Sequence, residues 1–532
     1  MKRALISLLL ASLPGMVLAD SQGDEIARLK AQLNALQSRM DAMQKAAGNK
    51  SAKKKGDAAA TATTDPAAPA ASAQAVAADD PAPTMSAEDL AEMKQQLASM
   101  QLKVDALQTA STEGPLAGLS VTGYLDPTYM YNHNANSGSF QFVNHNSAYT
   151  YDTSTIGDVY LDIKKTFGVG PTAPSVEFSI MPNRGNGNTL LANDNGTVGN
   201  NIINTAQINY PLSDTTTIVA GLISSFGGYD VQQSNQTLSI THNLLYDFSD
   251  PGSYVGAGVN WSHGQWTVKT FLGNEQYRTR GSAVQTGSDP NNNNPLFKTN
   301  NTPTITARVD YQYSSPLDIG WSFNAGRQTL ATSSATANAN GSISNGCQGG
   351  NTGFGYQCTS SNPFSDYYFT EVDMTYLLPD AQFNAEVDYG TQKNAAWNGG
   401  DAVWYGASLQ AHQKWTTDLL GRMGVTFRYD YLDDSKNGGG GGGVLLGSQG
   451  YDGNNGFGID FACLANSTTN GSECKGANRQ SLAAALLFYP IDQLIIKMEY
   501  RHDWANHDVF VKHNGSFTKT NDVVGAAMVY TF

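Results

Sequence analysis

Charged side chains recur at every second position in many segments between residues 119 and 532. In one such segment Arg308 and Asp310 alternate with Ala307, Val309 and Tyr311. Residues two apart along a strand lie on the same face of a sheet, so one face is charged and the other is apolar. Charged walls around a water-filled space attract counter-ions. The residues predicted to line such a space are Asp162, Lys164, Lys269, Arg308, Asp310, Glu371, Asp373, Glu386, Asp388, Arg422, Arg428, Asp430, Lys497, Glu499 and Arg501.

The balance of charge on this face is slightly acidic. With Asp126, Glu177, Asp503 and Lys414 added, the face carries eleven acids and eight bases. A weak preference for cations follows if the charges face water. The alternative is that many of them pair across strands and only stiffen the wall.

Catalytic chemistry has little support. His133 and Ser137 lie close together, but no acid or oxyanion donor accompanies them. The Gly438–Gly443 run lacks the Lys-Ser/Thr of a phosphate-binding loop. We therefore expect no enzyme, no catalytic residue, no cofactor, no metal site and no nucleic-acid partner.

The four cysteines fall into two pairs with ten residues between the members of each. Both pairs lie in stretches rich in Gly, Asn and Ser. Zinc ligands would normally be closer together. In an exported protein this spacing predicts two local disulfides, Cys347–Cys358 and Cys463–Cys474.

The N-terminus has the features of a secretory signal peptide over residues 1–19. Lys2 and Arg3 precede a short apolar core, and cleavage is expected after Ala19. The alternative, an N-terminal membrane anchor, would need a longer apolar core. No run of apolar residues is long enough for a transmembrane helix.

Two segments after the signal peptide show apolar residues at alternating spacings of three and four. These segments, 20–47 and 85–112, are predicted coiled coils, and each is too short to be stable without partner helices. The alternative is an amphipathic helix lying on its own domain. The Ala/Pro/Lys-rich stretch 48–84 between them is predicted to be a flexible linker.

The rest of the chain, 116–532, alternates apolar and polar residues in segments of about ten residues, the length of a tilted transmembrane strand. Short turns and long loops alternate as connections between the segments, so that all short turns lie on one side of the barrel and all long loops on the other. Because the first strand starts and the last strand ends on the short-turn side, the number of strands must be even. Moving 237–247 out of the wall leaves sixteen strands and places that apolar segment in the third long loop, 226–252. We expect this loop to fold inward and constrict the lumen with Leu238, Ile240, His242, Leu244, Leu245 and Tyr246.

The chain ends on alternating apolar residues with Tyr530 and a terminal Phe532, which resembles the C-terminal assembly signal of Gram-negative outer-membrane porins. Together with the N-terminal segments, the layout is similar to an uncharacterised proteobacterial porin-like family with a periplasmic coiled coil. The resemblance implies an all-β transmembrane barrel of about 16 antiparallel strands with an N-terminal α-helical coiled-coil extension. It also implies passive diffusion of small polar solutes and insertion by the barrel assembly machinery into the outer membrane, among lipid and lipopolysaccharide.

The coiled coil predicts an oligomer, and we expect a homotrimer, although the residues at positions a and d do not decide between two and three strands. The N-terminal segments would lie in the periplasm, where peptidoglycan is a possible partner. The alternative function is an outer-membrane adhesin or envelope tether, in which the barrel is an anchor. A wide charged lumen favours the channel, and a packed lumen favours the tether.

Overall fold

The structure, a computed structural model, describes residues 116–142, 156–181, 203–275, 302–329, 364–444, 446, 450–468 and 473–532, together with the backbone of four short loop strands. The predicted signal peptide, both coiled-coil segments, the linker and the Cys347–Cys358 pair lie outside these residues. They remain predictions.

A single sheet closes on itself into a barrel. It contains 18 strand segments, and two of its strands are each broken into two segments, so the wall has sixteen strands. Every strand pairs antiparallel with its neighbours in the chain, and the first pairs with the last through Tyr124↔Thr531. The predicted count and the predicted fold are confirmed for the barrel. The strands are β1 (Leu119–Leu125 and Thr128–Asn132), β2 (Ser137–Gln141 and Val159–Thr166), β3 (Ser175–Ile180), β4 (Ile203–Pro211), β5 (Thr216–Ile223), β6 (Tyr254–His263), β7 (Trp266–Glu275), β8 (Thr304–Ser314), β9 (Leu317–Thr329), β10 (Phe364–Leu377), β11 (Ala381–Gln392), β12 (Ala402–Thr417), β13 (Gly421–Asp433), β14 (Asn478–Ile491), β15 (Leu494–Ala505) and β16 (Thr520–Thr531).

The outer face of the barrel is apolar and the inner face is polar. On β10, Val372 is 51% exposed, while Glu371 and Asp373 on either side of it are 1% and 4% exposed. Val372 pairs with Val387 of β11, so apolar side chains line up across strands. An apolar exterior with all wall hydrogen bonds made between strands is what a lipid bilayer requires of a β-structure. The barrel therefore spans a membrane.

Helices contribute little to the described residues. α1 (Leu244–Phe248) lies in the third long loop and α2 (Phe461–Asn466) in the seventh, where a 3₁₀ turn, Lys436–Gly438, also occurs. None of these helices is long and apolar enough to cross a membrane.

The first two strands are each described in two segments. Those of β2 are Ser137–Gln141 and Val159–Thr166, and the Asp126 N–H donates to the Asp158 carbonyl at 2.9 Å. β1 is broken between Leu125 and Thr128, where Pro127 supplies no N–H to the ladder. Sequence alternation alone did not reveal this break, because both sides of it keep the two-residue period.

Candidate channel and inward loop

The third long loop, residues 224–253, lies inside the barrel against the inward faces of several strands. Hydrogen bonds between residues of the loop stabilise its conformation. Asn243 caps α1 by accepting the Tyr246 N–H at 2.6 Å, and Asp230 accepts the Asn243 N–H at 2.9 Å. The His242 ring stacks on Tyr246 at 4.3 Å. We call this segment the inward loop.

Arg428 on β13 holds the middle of the inward loop. Its guanidinium donates to the Thr241 carbonyl at 2.6 Å, to the His242 carbonyl at 2.7 Å and to Ser239 Oγ at 2.7 Å. It also pairs with Asp430 at 3.1 Å, and both side chains are fully buried. A buried guanidinium with this many acceptors fixes backbone position, because each lost bond would leave a buried donor unpaired.

β15 presents a second set of contacts to the same stretch. Lys497 donates to the carbonyls of Ser234 at 2.6 Å and Thr237 at 2.7 Å. Glu499 accepts the Thr241 N–H at 3.1 Å and also the hydroxyl of Thr241 and the N–H of Ile240. The charged groups of the wall thus bind both the backbone and the hydroxyl groups of the loop, and a donor and an acceptor follow each other along β15.

Two further arginines continue this pattern towards the long-loop end. Arg501 donates to the His242 carbonyl at 3.0 Å and pairs with Asp503 at 3.0 Å. Arg479 pairs with the same carboxylate at 3.0 Å and stacks over Phe248 of the inward loop at 5.3 Å. All three charged side chains are buried.

The inward loop also contacts strands β10–β12. The Gly228 N–H donates to Glu371 at 2.5 Å, and Asn243 donates to Glu386 at 3.2 Å. Trp404 on β12 donates to Ser249 Oγ at 3.1 Å. We call the inward faces of β10–β15 the covered wall.

Arg308 on β8 stands at the border of the covered wall. It binds Asp373 through two bonds of 2.6 and 3.0 Å and Asp310 at 2.6 Å. It also donates to the Phe226 carbonyl at 3.0 Å, where the inward loop begins.

The inward faces of β2–β7, which we call the open wall, have a different surrounding. A cavity of about 280 Å³ lies between them and the loop residues Ser224–Phe226 and Gln233. Glu177, Gln207, Asn260 and Lys269 line it and are only half-buried. Polar side chains that keep water contact beside a cavity are what a solute path requires.

The predicted lining residues therefore divide into groups. Asp162, Lys164 and Lys269 lie on the open wall, and Arg308 and Asp310 at the border. Arg422 lies at the rim with the short turns, where its half-exposed side chain pairs with Asp492 at 2.6 Å. The remaining nine are buried on the covered wall: Glu371, Asp373, Glu386, Asp388, Arg428, Asp430, Lys497, Glu499 and Arg501.

The predicted constriction residues are mostly packed rather than exposed. Ile240, His242, Leu244 and Leu245 are buried, and Leu238 and Tyr246 are half-buried. Leu244 and Leu245 belong to an apolar cluster that also receives residues from the sixth and seventh long loops, among them Trp397, Phe457 and Ile459.

The sequence singled out Ile240, Leu244 and Leu245 of this cluster but not its other members, most of which come from wall strands and from other loops. Cys463 and Cys474 form a disulfide in the same seventh loop. Asp434, at the start of that loop, is buried, and burial raises the pKa of its carboxyl although the Gly440 N–H donates to it at 2.8 Å.

At the chain end, Tyr530 and Phe532 point outward and stay partly exposed.

Comparison with known proteins gives a family and several similar solved structures. The family model "Protein of unknown function (DUF3138)" matches residues 1–532. No curated protein matches the chain in sequence. Among solved structures, the anion-selective porin from Comamonas acidovorans has 9% identity, with 78% of this chain and 99% of that chain covered and a TM-score of 0.43. The trimer form of OmpT, an outer membrane protein of Vibrio cholerae, has 9% identity, the same coverages and a TM-score of 0.40. Salmonella typhi OmpF in complex with daunomycin has 10% identity, with 78% and 97% covered and a TM-score of 0.41.

Proposed function

We propose that the chain, which belongs to the DUF3138 family, forms an outer-membrane channel for passive diffusion of small polar solutes. The observation that carries this proposal is the contrast between the two walls. The inward loop is bound to one wall by buried charges, while polar residues of the other wall stay partly exposed around a cavity. An apolar exterior and a wet inner wall are the two requirements of a diffusion barrel.

The inward loop is proposed to narrow this path. Its first residues, Ser224–Phe226, and Gln233 border the cavity opposite Asn260 and Lys269. The wall holds the loop backbone by several charge-assisted bonds, such as those from Arg428 and Lys497. A loop fixed in this way sets a constant cross-section rather than a moving gate.

Ion preference is proposed to depend on the open wall, because paired and buried charges contribute little field to water. Asp162 and Glu177 are balanced there by Lys164 and Lys269. Asp318 on the neighbouring β9 is half-buried and adds one acid. The proposed preference is therefore weakly cationic.

The direct test is the current through the purified, folded protein in a planar lipid bilayer. We expect discrete conductance steps, and swelling of liposomes in isotonic small sugars. Folding is checked by the change in gel mobility on heating, and heat-unfolded protein is the control. Protein that is folded by this criterion and gives no steps at any voltage would refute the channel.

The second candidate is an outer-membrane adhesin or envelope tether. The apolar cluster of Trp397, Trp404, Phe457 and Leu245 near the long-loop end favours it, since packing of this kind fills part of the lumen. Silence in the bilayer would select this function over the channel.

We propose that the protein lies in the outer membrane, in contact with lipopolysaccharide, and that it forms a homotrimer. Its insertion by the barrel assembly machinery is proposed to depend on Tyr530 and Phe532. The coiled coil would lie in the periplasm, and peptidoglycan is its proposed contact. Crosslinking in whole cells should trap a trimer, and removal of residues 20–112 should weaken it.

A further inference from the structure

Three carboxylates from two distant parts of the chain meet inside the barrel. Asp250 lies near the end of the inward loop, while Glu386 and Asp388 lie on the inward face of β11. One oxygen from each lies within 4.8 Å of the others, and all three residues are buried. We propose that these three residues bind a hard divalent cation, namely Ca²⁺.

The state of Asp388 points to a ligand. The residue is 1% exposed, and neither of its carboxylate oxygens has a well-formed hydrogen bond among the described residues, where the Ser249 side chain is its polar neighbour. One oxygen of Glu386 is in the same condition. The neighbouring Asp373, in contrast, receives two bonds from Arg308. Buried carboxylates are normally paired with a cation, well hydrogen-bonded or bound to metal, and among the described residues Asp388 has neither an ion pair nor a well-formed hydrogen bond.

The local charge also requires a positive partner. Glu371 and Asp373 on β10 face Asp388 and Glu386 directly across the strand pair. Like charges in this arrangement repel each other. Arg308 reaches Asp373 and Glu371, at 2.6 and 3.7 Å. Within the described residues, no lysine or arginine forms an ion pair with Glu386 or Asp388.

The chemistry of the cluster favours Ca²⁺ among divalent cations. Ca²⁺ binds oxygens at about 2.3–2.6 Å, so ligands on opposite sides lie about 4.6–5.2 Å apart. The oxygens of Asp250, Glu386 and Asp388 lie within 4.8 Å of one another, so one Ca²⁺ can contact all three. Mg²⁺ usually keeps several waters and binds only one or two carboxylates, whereas Ca²⁺ accepts three carboxylates in a flexible geometry. The group contains no Cys or His, which are the ligands that zinc prefers.

A cation here would join both ends of the inward loop to the wall. Asp250 lies near the loop's end, and the backbone of Gly228 near its start approaches the same carboxylates. A side-chain carbon added to Gly228 would lie 3.1 Å from oxygens of Asp250 and Glu386. Occupancy of the site should therefore stabilise the loop on the covered wall.

The test uses the full-length folded protein in detergent. Equilibrium dialysis measures Ca²⁺ bound per chain, and Tb³⁺ luminescence reports the same site by energy transfer from Trp404. Trp404 is suited to this role because it donates to Ser249, the residue before Asp250. Asp388→Asn and Glu386→Gln remove ligands, and Asp418→Asn, in an exposed turn, is the charge-matched control.

We expect about one Ca²⁺ per chain in the wild type and in Asp418→Asn, and at least tenfold weaker binding in Asp388→Asn and in Glu386→Gln. Ca²⁺ should displace Tb³⁺, and Trp404→Phe should abolish the luminescence without changing the dialysis result. A folded wild type that binds no Ca²⁺ would overturn the proposal and leave protons as the neutralising species. Unchanged binding in both ligand variants, or unchanged luminescence in Trp404→Phe, would also overturn it. If the ligand variants do not fold, the wild-type stoichiometry and Trp404→Phe decide the question.

Discussion

The covered wall and the open wall have the same sequence pattern but different surroundings. Both alternate apolar residues outward with polar residues inward. On the covered wall Arg428, Lys497 and Glu499 are bound to the backbone of the inward loop. On the open wall Glu177 and Lys269 remain half-buried beside a cavity.

The difference shows that inward charge has two separate uses in this barrel. A charge that is hydrogen-bonded to carbonyls and N–H groups of a loop holds that loop in position. A charge that keeps water contact sets the field along a path. Only the second kind belongs in a count of charges for ion selectivity, so a count over the whole inner face overstates the groups that matter.

The largest effect is expected from removing the contacts between Arg428 and the inward loop. Arg428→Met keeps the volume but leaves Asp430 and the carbonyls of Thr241 and His242 without their buried partner. The free energy of unfolding should fall by about 3–5 kcal/mol. Channel current should become noisier and larger as the loop leaves the covered wall. Urea unfolding in lipid vesicles and single-channel recording measure the two effects.

The matched control is Arg422→Met at the rim, where the ion pair with Asp492 is exposed. Its cost should be about 1 kcal/mol or less, because exposed pairs contribute little. Equal losses in the two variants would contradict the structural role given to Arg428.

Next in size is obstruction of the open wall. Asn260→Trp places a large side chain into the cavity, and conductance should fall at least twofold. The neighbouring Val259 faces outward and is 40% exposed, so Val259→Trp should leave conductance unchanged. If both variants conduct like the wild type, solutes do not pass along this wall.

A smaller change is expected in ion preference. Lys269→Glu replaces one of the few bases on the open wall, and the reversal potential in asymmetric KCl should shift towards stronger cation preference. Lys475→Glu alters the net charge equally in an exposed part of the seventh loop and should produce no shift. A shift of equal size in both variants would mean that the open wall does not set selectivity.

The smallest effect concerns Asp434, whose pKa is raised by burial. The folded state then holds this proton to higher pH than the unfolded chain does. Its contribution to the free energy of unfolding must fall as the pH rises from about 4, the ordinary aspartate value, through the raised pKa. Asp434→Asn should weaken this fall in a series of urea unfolding curves. A pH dependence identical to that of the wild type would show that Asp434 does not titrate in this way.

The barrel could be predicted from the sequence because each wall residue is specified locally. The two-residue period assigns Val372 and Val387 to lipid without knowledge of any partner. Parity of turns and loops then excludes 237–247 from the wall, and that segment contains no wall strand. Both arguments need only the order of residues along the chain.

The partners of the inward charges could not be predicted in the same way. Asp250 meets Glu386 through the path of a loop that no periodicity describes. Two of the contacts of Arg428 are with the backbone carbonyls of Thr241 and His242, which every residue carries, so the loop sequence holds no signal for them. The break in β1 escaped detection for a related reason, since the residues on either side continue the alternation.

The most direct test of the two-wall account is the access of a charged thiol reagent to single cysteines introduced on each wall. Asn260→Cys on the open wall should react from the aqueous side, and each reaction should reduce the current in one step. Ser408→Cys on the covered wall, where Ser408 is fully buried, should remain unmodified. The unsubstituted protein controls for the native cysteines. Modification of both positions at similar rates, or of Ser408→Cys alone, would contradict the account.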